Sequence, residues 1–470
     1  MIRQPRVFGA IAATLLAVVF VVNIYRAATQ SIVYDEAVTY LMFVGNSLGD
    51  PFMHYTANNH VLFSILASVT TRAFGTSEFT LRLPTVLAAA GYLWVVFAIA
   101  RLVGGSGLLF VLVAGALSLN PLVLDFLSAA RGYGLALFFW LFALLQVQRN
   151  LVDDTPRTRG WLAASLALGA SVAANLAFLF PAVGLVIGAS AAVLTTRPAR
   201  LHPRELVTWL WLPGLVLCAA VIVVPLSHAT REHFVFGADT LGETLSSLVS
   251  MSLAHHPTAW SMTSAARLFE RILTLAIPVV LGVALFRSGI LLAVTWATTL
   301  GLLIAAQVVF HMPYPAGRTG LYFIPLFIVT VATLTRSVPR GWATVTGSAV
   351  LLILIATSIE QFTLRSYTTW RYDAGSRVIA ETMAAWPTDR PLTTAASQWL
   401  YQPALEYYRV VRFPNRLAPV ADGLNPSHID QFDFLVLSDK DAAAIDRSWR
   451  LIHTHPISGA HLFVNPRLAR

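Results

Sequence analysis

The sequence predicts a mostly α-helical, polytopic membrane bundle of about eleven spans, followed by a small extracytoplasmic α/β domain at the C-terminus. Three observations predict it. Only 12% of the 470 residues are charged while 56% are hydrophobic, and a soluble globular protein carries about 25% charge. The mean hydropathy of +0.67 leaves too little polar surface to cover a globule in water. The apolar residues also fall into runs near the length that crosses a bilayer, about 20 residues.

Those runs lie near 7–28, 82–101, 106–125, 132–149, 161–177, 179–196, 206–226, 268–286, 289–309, 320–335 and 342–361. The first follows Arg3 and Arg6 and is longer than the core of a cleaved signal peptide, so it is read as a retained span. Segment 60–75 is apolar but short and carries His60 and Arg72. Arginine placement decides its fate. If it lies along the surface, one side of the membrane holds short gaps with Arg3, Arg6, Arg101, Arg149, Arg157, Arg159, Arg197, Arg200, Arg204, Arg287, Arg336 and Arg340. That is the cytoplasmic side by the positive-inside rule. The N-terminus is then cytoplasmic, while loops 29–81 and 227–267 and everything beyond 361 are extracytoplasmic. The domains are accordingly 1–361 in the membrane and 362–470 in water. The net charge of +9 reflects this topology and not a nucleic-acid footprint; Lys440 is the single lysine. Cys218 stands alone in an apolar run, which excludes an internal disulfide.

In the tail, charge becomes frequent. Phe432–Leu437 and His461–Val464 read as strands, and Ser397–Tyr408 and Asp439–Trp449 as amphipathic helices.

Ionisable groups at a membrane boundary are functional candidates by default. Tyr34-Asp35-Glu36 follows the first span; a carboxylate there could take a proton from a hydroxyl, or simply cap a helix. Asn58-Asn59-His60 opens the surface helix and could donate to a phosphate or sugar, or cap it. Ser128-Ala129-Ala130-Arg131-Gly132-Tyr133 presents an arginine suited to phosphate, or one paired with Asp125. Pro313 to Arg318 is a rigid turn presenting a second arginine. His228, His233, His255 and His256 match no metal-ligand spacing. All of these groups fall on the outer side, where together they could bind an anionic lipid head and deprotonate an acceptor.

These residues resemble the GT-C glycosyltransferases, membrane enzymes that use polyprenyl-phosphate sugars, and especially the branch with protein O-mannosyltransferases and aminoarabinose transferases. The likeness covers about residues 5–335. It rests on Asp35-Glu36, NNHVLFSIL, Phe74-Gly75, Glu78, Arg82-Leu83-Pro84, SAARGY at 128–133 and Arg318 in GRTGLYFIP. It departs where Val61 and Leu62 replace prolines and no lysine follows. The resemblance implies inverting sugar transfer on the extracytoplasmic face of the cell membrane to a glycan, lipid or protein. Asp35 would be the general base, and Glu36 would orient the acceptor or tune Asp35. Arg131, Arg318 and His60 would hold the donor phosphate, with Asn59, Tyr133 and Tyr34 binding substrate. No cofactor is implied, and a divalent metal is possible but not favoured. A transporter or lipid flippase is the alternative; it would place charge near the midplane within inverted repeats, and no repeat is visible. A non-catalytic assembly or sensor protein is a third reading, against which the intact acid pair argues.

Overall fold

A computed structural model describes residues 4–153, 158–196, 202–253, 264–337, 341–396, 399–423 and 426–468. It divides into two compact units.

The first unit comprises residues 1–24, 52–63 and 84–362 and is helical. Six helices among the described residues are long and apolar enough to cross a membrane, and four shorter apolar ones run 10–17 residues. Val61–Phe74 belongs to the shorter set, as its length in the sequence led us to expect. The expected span 106–125 is broken: Leu108–Leu119 stops at Asn120, and a short helix Pro121–Phe126 follows. The cause is local. The Asn120 carboxamide oxygen accepts the backbone N–H groups of Leu122 and Val123, and Pro121 occupies the first helical position. Likewise 161–177 ends early, at Ala174, where Asn175 caps a turn of 3-10 helix, Leu176–Phe178.

Hydrocarbon gives little drive for helices to associate, so close approach must come from small residues. Helix Leu179–Thr196 meets helix Ile290–Phe310 through Gly184 and Gly188. A β-carbon at Gly184 would collide with the Thr299 hydroxyl, and one at Gly188 would stand 2.5 Å from that of Thr295. Ser171 donates to the Ala136 carbonyl at 2.8 Å, and the Trp140 indole to Pro181 at 3.1 Å. These bonds satisfy polar groups where no water can.

The second unit comprises residues 25–51, 64–83 and 363–470. Chain order alone suggested a boundary near 361, but compactness gathers two pieces of the first loop with the tail. Its five-stranded sheet has the order β2-β1-β3-β5-β4, with β1 Thr394–Ala396, β2 Ala421–Asp422, β3 Phe434–Leu437, β4 Arg450–Thr454 and β5 His461–Val464. Strand β1 is parallel to both of its neighbours, whereas β3–β5 and β4–β5 are antiparallel. Leu435, Leu437, Trp449 and Phe463 form its core.

The two strands read from sequence are present. The helix read at Ser397–Tyr408 is instead Gln402–Val411, with Pro403 in its first turn; Ser397 lies outside the described residues. The helix read over Asp439–Trp449 is a correction. It stops at Ala442, and Asp446 then turns the chain by accepting the Ser448 N–H at 2.7 Å, so Trp449 enters the core and β4 begins.

Replacing Gly184 with leucine is expected to force the two helices apart and lower the thermal midpoint in detergent by several degrees, while Gly282→Leu, whose β-carbon meets nothing within 4 Å, leaves it nearly unchanged. Scanning both variants by thermal unfolding decides it.

Candidate functional site

The acid pair lies in the second unit. Helix Tyr34–Thr39 carries it in its first turn, where a carboxylate favours the helix dipole. Both side chains are buried, yet they are used differently. Glu36 is wholly enclosed and grips Arg82 through two bonds, Nε to Oε1 at 2.7 Å and Nη2 to Oε2 at 2.6 Å. Its Oε2 also accepts the Val33 N–H at 3.0 Å, closing the helix start. Arg82 donates further to the carbonyls of Ala27, Gln30 and Ser31. All five N–H groups of the guanidinium are thereby satisfied. Glu36 is thus engaged in structure.

Asp35 has a different environment. Its Oδ2 accepts the Trp370 indole N–H at 2.8 Å, and Tyr34 lies edge-on to Trp399. A third carboxylate, Asp373, is fully buried and accepts the Tyr34 N–H at 2.6 Å. Burial holds the Asp373 carboxyl well above the usual range. The Tyr34 N–H and the Ser376 hydroxyl oppose this, and Asp35 and Glu36 add to it.

The other candidates lie in the first unit. Arg131 precedes helix Gly132–Val152, is 1% exposed, and donates to the Asn58 carbonyl at 3.3 Å and its side-chain oxygen at 2.9 Å. Gly132 is required beside it: a β-carbon there would collide with the Ala174 carbonyl and stand 2.7 Å from the His60 Cβ. His60 packs edge-on to Tyr133 with centroids 5.0 Å apart, and its Nε2 is buried with no hydrogen-bond partner. Burial above all, then the Arg131 and Arg318 guanidiniums, hold the imidazole well below its ordinary 6.5, so it is neutral near pH 7. Asn59 donates to the His54 carbonyl at 2.9 Å, an internal loop bond. Tyr55, stacked on Phe234, is pushed up to about 12 by burial and by Tyr133.

Arg318 sits on a turn that is fixed at both ends. Tyr314 pairs with Ala238 in an isolated antiparallel bridge, and the Gly317 N–H donates to the Ser247 hydroxyl at 2.9 Å. Gly317 has φ +49 and packs against Met251, which excludes a side chain on both counts. The guanidinium lies 5.5 Å from the centre of the Phe236 ring.

The structure therefore brings His60, Tyr133, Arg131 and Arg318 into one neighbourhood of the first unit, and Tyr34, Asp35 and Glu36 into one of the second. Sequence reasoning missed Trp370 and Asp373, for which spacing gives no signal, because more than 330 residues separate them from the acid pair. It also missed Asn175, whose Oδ1 caps Ala177 while Nδ2 is buried without a partner, and Tyr322, whose buried hydroxyl likewise has none. His255 and His256 lie outside the described residues. Among the described residues no three His, Cys, Asp or Glu side chains group so as to hold a metal ion.

Two measurements follow from this geometry. Arg82→Met would strand the Glu36 charge and cost about 3–5 kcal/mol, whereas Arg82→Met with Glu36→Leu should recover most of the loss; thermal unfolding of both variants checks it. For His60 the folded pKa is depressed, so neutral burial contributes its full stability above the unfolded value of 6.5. That contribution falls with pH below 6.5, by up to about 1.4 kcal/mol per pH unit. His60→Gln should flatten this slope in a pH series of thermal midpoints.

No family model matches the chain, and no curated protein matches it in sequence. Solved structures do match. ArnT from Cupriavidus metallidurans, crystallised with undecaprenyl phosphate, superposes with a TM-score of 0.53 at 14% identity, covering 96% of this chain and 98% of that one. The arabinofuranosyltransferase AftD from Mycobacteria gives a looser 0.49 at 14% identity, over 96% of this chain but 41% of AftD. At these identities the likeness concerns architecture alone. The chain thus shares the fold of that ArnT structure over nearly the whole length of both.

Proposed function

We propose that the protein is a membrane glycosyltransferase of the GT-C type, transferring a sugar from a polyprenyl-phosphate donor to an extracytoplasmic acceptor. The observation that carries this reading is the neutral, buried His60 with an unpartnered Nε2, in a neighbourhood governed by Arg131 and Arg318. Two guanidiniums and a neutral donor suit a phosphodiester. The arginines supply charge, and the neutral imidazole adds a hydrogen bond without adding charge. An apolar cavity of about 450 Å³ in the same unit, lined by Leu245, Leu248, Trp296, Phe323 and Phe327 among others, suits part of a branched hydrocarbon chain. That the resemblance in fold includes a protein crystallised with undecaprenyl phosphate agrees with this donor class.

In the proposed reaction the acceptor hydroxyl attacks the anomeric carbon as Asp35 takes its proton. The bond from that carbon to the phosphate oxygen breaks, and polyprenyl phosphate leaves with its electron pair. One displacement inverts the anomeric centre. Arg131 and Arg318 stabilise the charge that grows on the leaving phosphate. Asn59, Tyr133 and Tyr34 contact the substrates, Glu36 keeps Asp35 in place through Arg82, and no divalent metal takes part. The site faces the extracytoplasmic side of the cell membrane.

The test is turnover of a panel of labelled polyprenyl-phosphate sugars by the purified full-length protein with envelope acceptors. We expect transfer or donor hydrolysis that survives EDTA and falls at least a hundredfold in both Arg131→Met and Arg318→Met. No turnover of any donor, or equal turnover in the arginine variants, would overturn the proposal.

A further inference from the structure

The second unit contains a device that the proposed reaction leaves unexplained. Two side chains from the segment that follows the last apolar helix close on Tyr34–Glu36, the three-residue stretch carrying the acid pair. The Trp370 indole donates to Asp35 Oδ2 at 2.8 Å. Asp373 accepts the Tyr34 backbone N–H at 2.6 Å, at the first residue of the helix that bears Asp35. All four groups are at least partly buried, and Trp370 and Asp373 are almost wholly so. Neither contact is needed to complete the sheet, whose strands begin only at Thr394.

We propose that Trp370 and Asp373 are positioning residues for Asp35: the indole fixes one carboxylate oxygen and favours the charged form, and Asp373 anchors the turn that aims it. This rests on the reading of Asp35 as the general base. A neutral N–H donor stabilises a carboxylate more than a carboxylic acid, so its loss should make Asp35 easier to protonate. The tie also links the soluble tail to the chemistry, giving that domain a role inside the site.

Other ionisable groups face this stretch. Glu36 is neutralised by Arg82, and Glu78 is paired with Arg377 and Arg412. Arg26 lies over Tyr367. Tyr401 senses Asp373 and is pushed up to about 12, mainly by burial. Tyr40 and Tyr407 stack edge to face, and the Tyr408 hydroxyl accepts the Ile32 N–H at 2.9 Å. Glu36 and Glu78 thus have fixed cationic partners, Asp35 accepts the Trp370 indole N–H, and Asp373 accepts the Tyr34 N–H and the Ser376 hydroxyl. Burial raises the Asp373 carboxyl, and its Oδ2 accepts the Tyr34 N–H.

The experiment has two arms on the full-length protein in detergent. In the first, tryptophans are replaced by 5-fluorotryptophan and the fluorine resonance lost in Trp370→Phe is followed with pH. It should titrate in the otherwise unchanged protein and be flat in Asp35→Asn. A resonance that is flat in both, or titrates in both, overturns the contact. In the second, transfer is measured against pH. Trp370→Phe should lower kcat with little change in KM and move the acidic limb up by about one pH unit. Asp373→Asn, which keeps an acceptor for the Tyr34 N–H, should recover most of the activity that Asp373→Ala loses. An unmoved limb in Trp370→Phe, or equal loss in both Asp373 variants, overturns the positioning role. Absence of turnover in the parent protein would instead count against the glycosyltransferase reading, and the fluorine resonance would still decide the contact.

Discussion

Everything about the acid pair depends on one buried ion pair. Arg82 is enclosed, and its five N–H groups are divided between Glu36 and three carbonyls at the end of the first helix and the turn after it. An ion pair in such a place returns little net stability, since two charges must leave water. It does impose a single arrangement, because any other would strand a charge. The arrangement it imposes fixes Ile32 to Glu36 in space and sets Asp35 beside Trp370. The two adjacent acids are therefore not equivalent. One holds the scaffold through Arg82, and the other accepts the Trp370 indole N–H.

The first unit gathers cationic groups around a neutral histidine. Close backbone approach at Gly132 sets His60 against the start of helix Gly132–Val152, where Arg131 sits. The turn at Gly317 places Arg318 without a mobile stem. A cationic histidine would add to repulsion between the arginines, and the environment avoids this by keeping it neutral. The buried Asn175 Nδ2 and Tyr322 hydroxyl in this unit have no hydrogen-bond partner.

Much of this was legible in the sequence. Low charge and long apolar runs gave away the helical membrane part. The candidate residues stood out because ionisable groups beside apolar runs are costly. What was not legible was long-range. No periodicity joins Trp370 to Asp35, and nothing local shows that Glu36 grips Arg82 while Asp35 accepts the Trp370 indole. The helix read over Asp439–Trp449 failed for a similar reason: Trp449 is claimed by the sheet core, and tertiary burial overrode the local pattern. Asn120 and Asn175, which end two helices early, act through caps that a search for apolar length passes over.

The central claim is that Asp35 removes the acceptor proton during sugar transfer from a lipid phosphate. Single-turnover transfer from a saturating labelled donor, in the parent protein and in Asp35→Asn, measures this most directly when donor binding is quantified in the same samples. The account predicts unchanged donor binding, transfer slowed at least a hundredfold in the variant, and an inverted anomeric centre in the parent's product. Transfer at the parent rate in Asp35→Asn, or a product that retains the donor's configuration, would contradict it.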